Sequence, residues 1–208
     1  MSKPKTIFLD WYKTLSNSLF WQQLKEPGHR LNKKLVDIES VLLNKDFDLI
    51  NNWMLGKLSS EDACDFISSR TGVDSKLLHD ELVISCKQMT FIDEKIGVLL
   101  KKIKEKKIKL VIATDNMDTF SKYTYPEINK DNLFDGFINS YEVGCFKYDY
   151  KKGKLAFFDS YLREHQLDYD EVVLMDDHVD KEGNFQRLGF EIVNINENRQ
   201  LAEVLESY

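Results

Sequence analysis

The sequence predicts an α/β fold: a parallel sheet flanked by helices and interrupted by an all-helical insertion. Three observations carry that reading. From about residue 92 onward, short apolar runs alternate with helical patterns, the rhythm of strands joined by crossover helices. Residues 16–91 break this rhythm and read as successive helices. Several apolar runs also end in a reactive side chain, and parallel sheets place their chemistry at the C-terminal ends of their strands.

The first strand is predicted over residues 6–10, where the run Thr6-Ile7-Phe8-Leu9 ends at Asp10. A carboxylate at the exit of a buried strand is costly unless it is paired or binds a cation. Helices are then predicted over 16–25, 30–43, 47–55, 60–70 and 75–89. They are separated by turn signals at Glu26-Pro27-Gly28, Gly56 and Thr71-Gly72-Val73-Asp74. Ser59 stands three residues before Asp62, and Asp74 opens a long apolar-periodic stretch, both helix-start signals. The remaining strands are predicted over 109–114, 136–140, 171–175 and 191–194. Helices fall over 93–106, 154–165, 181–188 and 198–207, with a loop at Lys151-Lys152-Gly153.

Composition narrows the class. The chain has 208 residues, of which 42% are hydrophobic and 31% charged, enough for one core or one core with a large insertion. The net charge of −6 argues against a dedicated nucleic-acid binder. The basic run from Lys101 to Lys107 reads as the solvated face of a helix near its C-terminus, where the helix dipole favours cations. No apolar run spans a bilayer, and the N-terminal residues lead into a strand without a signal-like stretch. The expectation is a cytoplasmic protein with no membrane partner. Cys64, Cys86 and Cys145 match no zinc or redox spacing and read as free thiols.

Four segments then form a set. Asp10-Trp11-Tyr12-Lys13-Thr14 follows the first strand, and Leu110-Val111-Ile112-Ala113 leads to Thr114. Ser140-Tyr141-Glu142-Val143-Gly144-Cys145-Phe146 leads to Lys147. Val172-Val173-Leu174-Met175 leads to Asp176-Asp177, with Asp180 four positions beyond Asp176. In this order and spacing the chain resembles the haloacid dehalogenase-like (HAD) hydrolase superfamily. The resemblance spans nearly the whole chain, although Tyr148 stands where that family usually has proline. It implies a Rossmann-like core of residues 1–15 and 92–208 and a helical cap domain of residues 16–91 that admits small-molecule substrates.

By this resemblance Asp10 is the nucleophile that forms a covalent aspartyl intermediate. Thr114 donates its hydroxyl to a phosphoryl oxygen, and Lys147 neutralises the charge gathered by nucleophile and substrate. Adjacent carboxylates repel each other and favour a divalent cation, and an all-oxygen donor set suits Mg²⁺. The resemblance places that ion on Asp10, Asp176 and the backbone carbonyl of Tyr12, with Asp177 or Asp180 in support. Backbone N–H groups after Thr114, where a helix is expected to open near Asn116, add anion contacts. Asp115 beside the phosphate seat is repulsive unless it points away. His178 reads as a solvated neighbour of the acidic pair.

One position departs from the phosphatase pattern. Phosphatase members of the family carry a second aspartate two residues after the nucleophile, and this chain has Tyr12. A phenol, with a pKa of about 10, is a poor base at neutral pH. Loss of general acid–base help costs a factor of roughly 10²–10⁴. The Asp-x-Tyr-x-Thr-Leu form resembles the 2-haloacid dehalogenase branch, whereas Asp176-Asp177 resembles the metal-binding form. The expectation is an Mg²⁺-dependent phosphatase-like hydrolase. The alternatives are a dehalogenase-type hydrolase and a catalytically weak ligand-binding protein.

Overall fold

The computed structural model describes residues 4–196 and 200–208. Five parallel strands form the central sheet in the order β3-β2-β1-β6-β7. The chain enters through β1 (Thr6–Leu9), the middle strand, all four residues of which are buried. Its neighbours in register are β2, Leu9 facing Ile112, and β6, Leu9 facing Met175. A strand buried on both faces reads as an unbroken apolar run, which is why β1, β2 and β6 were visible in the sequence.

Between β1 and β2 lie two 3-10 turns (Gln22–Lys25 and Asn32–Lys34) and five helices. These are α1 (Leu35–Leu42), α2 (Leu49–Met54), α3 (Ser60–Thr71), α4 (Ser75–Lys87) and α5 (Lys95–Glu105). A capping box opens α3, with Ser59 and Asp62 each accepting the other's backbone N–H, and the Asp74 carboxylate caps α4. The helix expected over 16–25 is not formed beyond its last turn. Trp21 is left-handed (φ 54°), and its indole Nε1 donates to the Leu78 carbonyl at 2.9 Å. That long-range bond and the burial of the ring override local helical pattern.

After β2 (Lys109–Thr114) come a π-helical turn (Phe120–Thr124), α6 (Tyr125–Ile128), β3 (Gly136–Asn139) and the single turn α7 (Ser140–Val143). The segment expected as helix 154–165 begins instead with a hairpin, β4 (Tyr150–Lys151) and β5 (Lys154–Leu155). Its two-residue turn has both Lys152 and Gly153 at positive φ, the geometry that matches strand twist in tight hairpins. Then follow α8 (Ala156–Glu164), β6 (Val172–Asp176), α9 (Asn184–Leu188), β7 (Glu191–Asn194) and α10 (Leu201–Glu206). The first two positions of the helix expected over 198–207 lie outside the described residues.

Strand alternation divides the core. Ile7 and Leu9 face one side of the sheet, where a continuous apolar cluster runs through Trp11, Trp21, Trp53, Ile67, Leu78 and Leu100. Phe8, Val111 and Leu174 face the other, against Phe157, Phe158, Phe185 and Phe190. The inserted helices thus share one core with α5 and the sheet.

Two contacts fix the insertion to the loops beyond β2 and β3. The buried Asp118 carboxylate accepts from Trp53 Nε1 (2.8 Å), Ser60 N–H (3.2 Å), Ser60 Oγ (3.0 Å) and Lys122 Nζ (2.7 Å). Gly56, at φ 70°, brings its backbone so close to Tyr141 that an added Cβ would sit 2.5 Å from that carbonyl oxygen. Among the described residues, no helix is long and apolar enough to cross a membrane.

Candidate active site

Parallel register delivers the reactive residues to one edge. Asp10 follows β1 directly, and its N–H donates to the Met175 carbonyl at 2.9 Å, which sets it level with Asp176 on β6. Thr114 ends β2 and pairs with Asn139 on β3, buried at the same edge. Lys147 arrives from the loop after α7 and is also buried.

The centre is a buried ionic group. Lys147 Nζ donates to Asp10 Oδ1 and, at 2.6 Å, to Asp176 Oδ2. The three residues are only 5%, 4% and 1% exposed for Asp10, Lys147 and Asp176. One ammonium cannot neutralise two carboxylates, and burial makes the surplus charge costly. Burial accordingly pushes the Asp10 carboxyl up to about 7, the Lys147 ammonium opposing the rise and Asp176 adding to it. Burial alone would lower the Lys147 pKa, but Asp10 and Asp176 outweigh it and hold the ammonium above its ordinary range.

Asp177 joins this surplus. Asp10, Asp176 and Asp177 each present a carboxylate oxygen, and those atoms lie within 4.8 Å of one another. Burial and the Asp176 charge raise the Asp177 carboxyl. Three hard oxygen donors with one compensating cation fit a small divalent ion such as Mg²⁺. Asp180 instead closes the start of α9, its carboxylate accepting from Asn184 N–H (3.1 Å) and Phe185 N–H (2.8 Å). His178 is exposed and gives its backbone N–H to Asp176 Oδ1 at 2.8 Å.

The loop after Thr114 is braced from β3. Asn116 N–H donates to Ser140 Oγ (3.0 Å), Met117 N–H to Asn116 Oδ1 (2.9 Å), and Asn139 Nδ2 to the Met117 carbonyl (3.0 Å). Asn116 and Met117 N–H are therefore engaged within the protein, and helix opens at Asp118 rather than at Asn116. Asp115 is turned aside as the sequence required, its Oδ1 taking the Lys147 backbone N–H at 3.0 Å. Burial raises its carboxyl to about 6, with Lys147 opposing the rise. Asn139 and Asp118 were not singled out in the sequence, and Ser140 entered only as the first residue of the segment leading to Lys147. Besides local bonds to Lys122 and Tyr141, their side chains act through partners 18 or more residues away, a separation with no local signature.

Tyr12 stands at the rim, 42% exposed. Beside it opens a cavity of about 340 Å³ between the loops following β1 and β2 and the inserted helices.

No family model matches the chain, and no curated protein matches it. Solved structures do. A predicted HAD-like family hydrolase from Porphyromonas gingivalis has a TM-score of 0.70 at 17% identity, covering 99% of this chain and 98% of that one. A HAD family enzyme from Bacteroides thetaiotaomicron, in complex with magnesium and inorganic phosphate, has a TM-score of 0.67 at 16% identity, covering 97% and 98%. The L-2-haloacid dehalogenase of Xanthobacter autotrophicus, with chloropropionic acid covalently bound, has a TM-score of 0.61 at 13% identity, covering 94% and 80%. The fold is thus that of the HAD-like hydrolases.

Proposed function

We propose that this protein is an Mg²⁺-dependent hydrolase of small phosphorylated molecules that works through an aspartyl intermediate at Asp10. The observation that carries the reading is the carboxylate cluster of buried Asp10 and Asp176, both bonded to Lys147, with the half-buried Asp177 beside them. Asp10, Asp176 and Asp177 would hold the ion with the Tyr12 backbone carbonyl, and bound Mg²⁺ supplies charge neutralisation for phosphoryl oxygens. Asp10 attacks phosphorus, Lys147 keeps the nucleophile ionised and in place, and Thr114 donates to a phosphoryl oxygen. Asn116 closes the seat from the β2 side. The helices of residues 16–91 act as the cap, excluding water and selecting the ligand. The magnesium and phosphate complex of the Bacteroides relative supports this reading.

A dehalogenase-type reaction at Asp10 is the second reading, favoured by Tyr12 and by the Xanthobacter relative. It is placed second because a haloacid brings a carboxylate and releases a halide. Among the described residues, no lysine, arginine or histidine lines the cavity to receive either. The test is release of phosphate from a generic aryl phosphate with and without Mg²⁺, beside Asp10→Asn. Metal-dependent release that vanishes in the variant is the expected result. No release from any phosphate ester, with halide freed from a 2-haloacid, would replace this reading by the second.

A further inference from the structure

The cavity that opens between Tyr12 and Asn116, each two residues beyond the reactive strand ends Asp10 and Thr114, joins two features that concern the leaving group. Its walls are Leu19, Phe20, Trp21, Ile50 and Met54 from the insertion, with Met117 from the loop after β2. Leu19 and Leu43 at its edge are apolar side chains left exposed, a state that an apolar ligand would relieve. The charged groups that line it are the carboxylates Glu39 and Asp115, and among the described residues no cation does. A polyhydroxylated alcohol would find few polar partners there, and a second anionic group would meet only repulsion. A volume of about 340 Å³ accommodates a one- or two-ring organic group.

The other feature is Tyr12, two residues after Asp10 and lining the same cavity. A phenol with a pKa of about 10 is a far weaker proton donor than a carboxylic acid, so the oxygen that leaves phosphorus must carry most of its electron pair as a stable anion. Phenols and enols do this far more readily than sugar or alkyl alcohols.

We propose that the substrate is a phosphomonoester of an apolar aryl or enol hydroxyl, whose ring occupies the cavity between α2 and the loop after β2. This rests on the phosphohydrolase reading above and names its substrate class. In the first step an Asp10 carboxylate oxygen bonds to phosphorus, and the phosphorus–oxygen bond to the ring breaks with its electron pair on the aryl oxygen. Water then attacks phosphorus, the bond to Asp10 breaks, and inorganic phosphate is released. The water proton passes to the aryl oxide or to solvent, and the Asp10 carboxylate is regenerated.

The experiment compares 1-naphthyl phosphate, benzyl phosphate and glucose 6-phosphate with Mg²⁺, and titrates 1-naphthol against tryptophan fluorescence, since Trp11 and Trp21 line the cavity. The kcat/KM for naphthyl phosphate should exceed that for benzyl phosphate, apolar but a poor leaving group, by on the order of 100-fold. Glucose 6-phosphate should fall lower still, and naphthol should bind saturably. Met54→Trp, which fills the cavity, should lower the ratio of naphthyl to acetyl phosphate turnover about 10-fold or more. Ile50→Ala, which only widens it, is the companion if the larger side chain prevents folding, and it should weaken naphthol binding. Benzyl or glucose phosphate turned over as well as naphthyl phosphate would overturn the inference while the phosphohydrolase reading stands. Failure of naphthol to bind would overturn the apolar occupant. Naphthol binding with no turnover of any ester would overturn the phosphohydrolase reading and leave the apolar occupant standing.

Discussion

Replacing Lys147 by methionine is the perturbation that most sharply exposes the electrostatics of the site. The substitution keeps the length and apolar stem of the side chain but removes the ammonium that bonds Asp10 and Asp176. Two carboxylates, no more than 5% exposed, are then left facing each other. Breaking a buried ion pair from one side costs about 3–5 kcal/mol. For a chain of this size each kcal/mol moves the melting temperature by roughly 2–4 °C, so the metal-free variant should melt about 6–20 °C lower at pH 8. The loss should shrink on acidification, because a proton on Asp10, whose carboxyl already sits near 7, replaces the missing cation. Mg²⁺ should also restore part of it: at one hundred times its dissociation constant a ligand stabilises by about 2.7 kcal/mol. Thermal melts of both proteins, with EDTA or Mg²⁺, at pH 6 and pH 8 test all three statements. A variant within about 1 kcal/mol of the parent at pH 8 without metal would refute the reasoning.

The parent itself should respond to pH with a definite sign. The Asp10 carboxyl is raised from 3.8 to about 7 in the fold, so its contribution is present in full at acid pH and lost as pH rises through 7. The increment in melting temperature on adding Mg²⁺ should therefore grow between pH 6 and pH 8, and an increment independent of pH would contradict this. Asp177→Asn should weaken Mg²⁺ binding about 10-fold or more, measured by calorimetry. Asp180→Ala should cost about 1 kcal/mol of stability through the α9 cap and leave Mg²⁺ affinity within threefold. Asp118→Ala should destabilise by about 3 kcal/mol in urea, since it orphans Trp53 Nε1 and the Ser60 N–H. Burial opposes ionisation of Asp118, but the bonds from Lys122, Trp53 and Ser60 outweigh it and lower its carboxyl below 3.8. Its contribution is thus present above the unfolded value and lost as pH falls through the folded one. Below pH 4 the gap between parent and Asp118→Ala should narrow. Gly56→Ala, forced into positive φ against the Tyr141 carbonyl, should cost about 1–3 kcal/mol by the same assay.

The sheet was readable because its strands are short and buried on both faces. Each expected strand lies within a residue of the observed one, as with 171–175 against Val172–Asp176. Asp10, Thr114, Asp176 and Asp177 were visible for the same reason, each ending or following an apolar run. Lys147 was visible only through the glycine-containing stretch before it. The helix expected over 16–25 failed because Trp21 is held by a bond to Leu78, 57 residues away. The hairpin at 150–155 escaped because strands of two residues carry no period. Asp118 and Ser140, which fix the loop after β2, look like ordinary polar residues until their distant partners are known. The cavity was legible only in its separate walls. Trp11 and Trp21 belong to the core, but their edges also border an open space.

The central claim is that Asp10 takes the phosphoryl group. Acid quench of the full chain during turnover of 1-naphthyl phosphate with Mg²⁺, followed by reductive trapping and peptide mass spectrometry, tests it most directly. Hydride displaces phosphate from an aspartyl phosphate and leaves homoserine, so homoserine should appear at position 10 and disappear with EDTA and in Asp10→Asn. Homoserine at another aspartate instead, or phosphate release at an undiminished rate from Asp10→Asn, would contradict it.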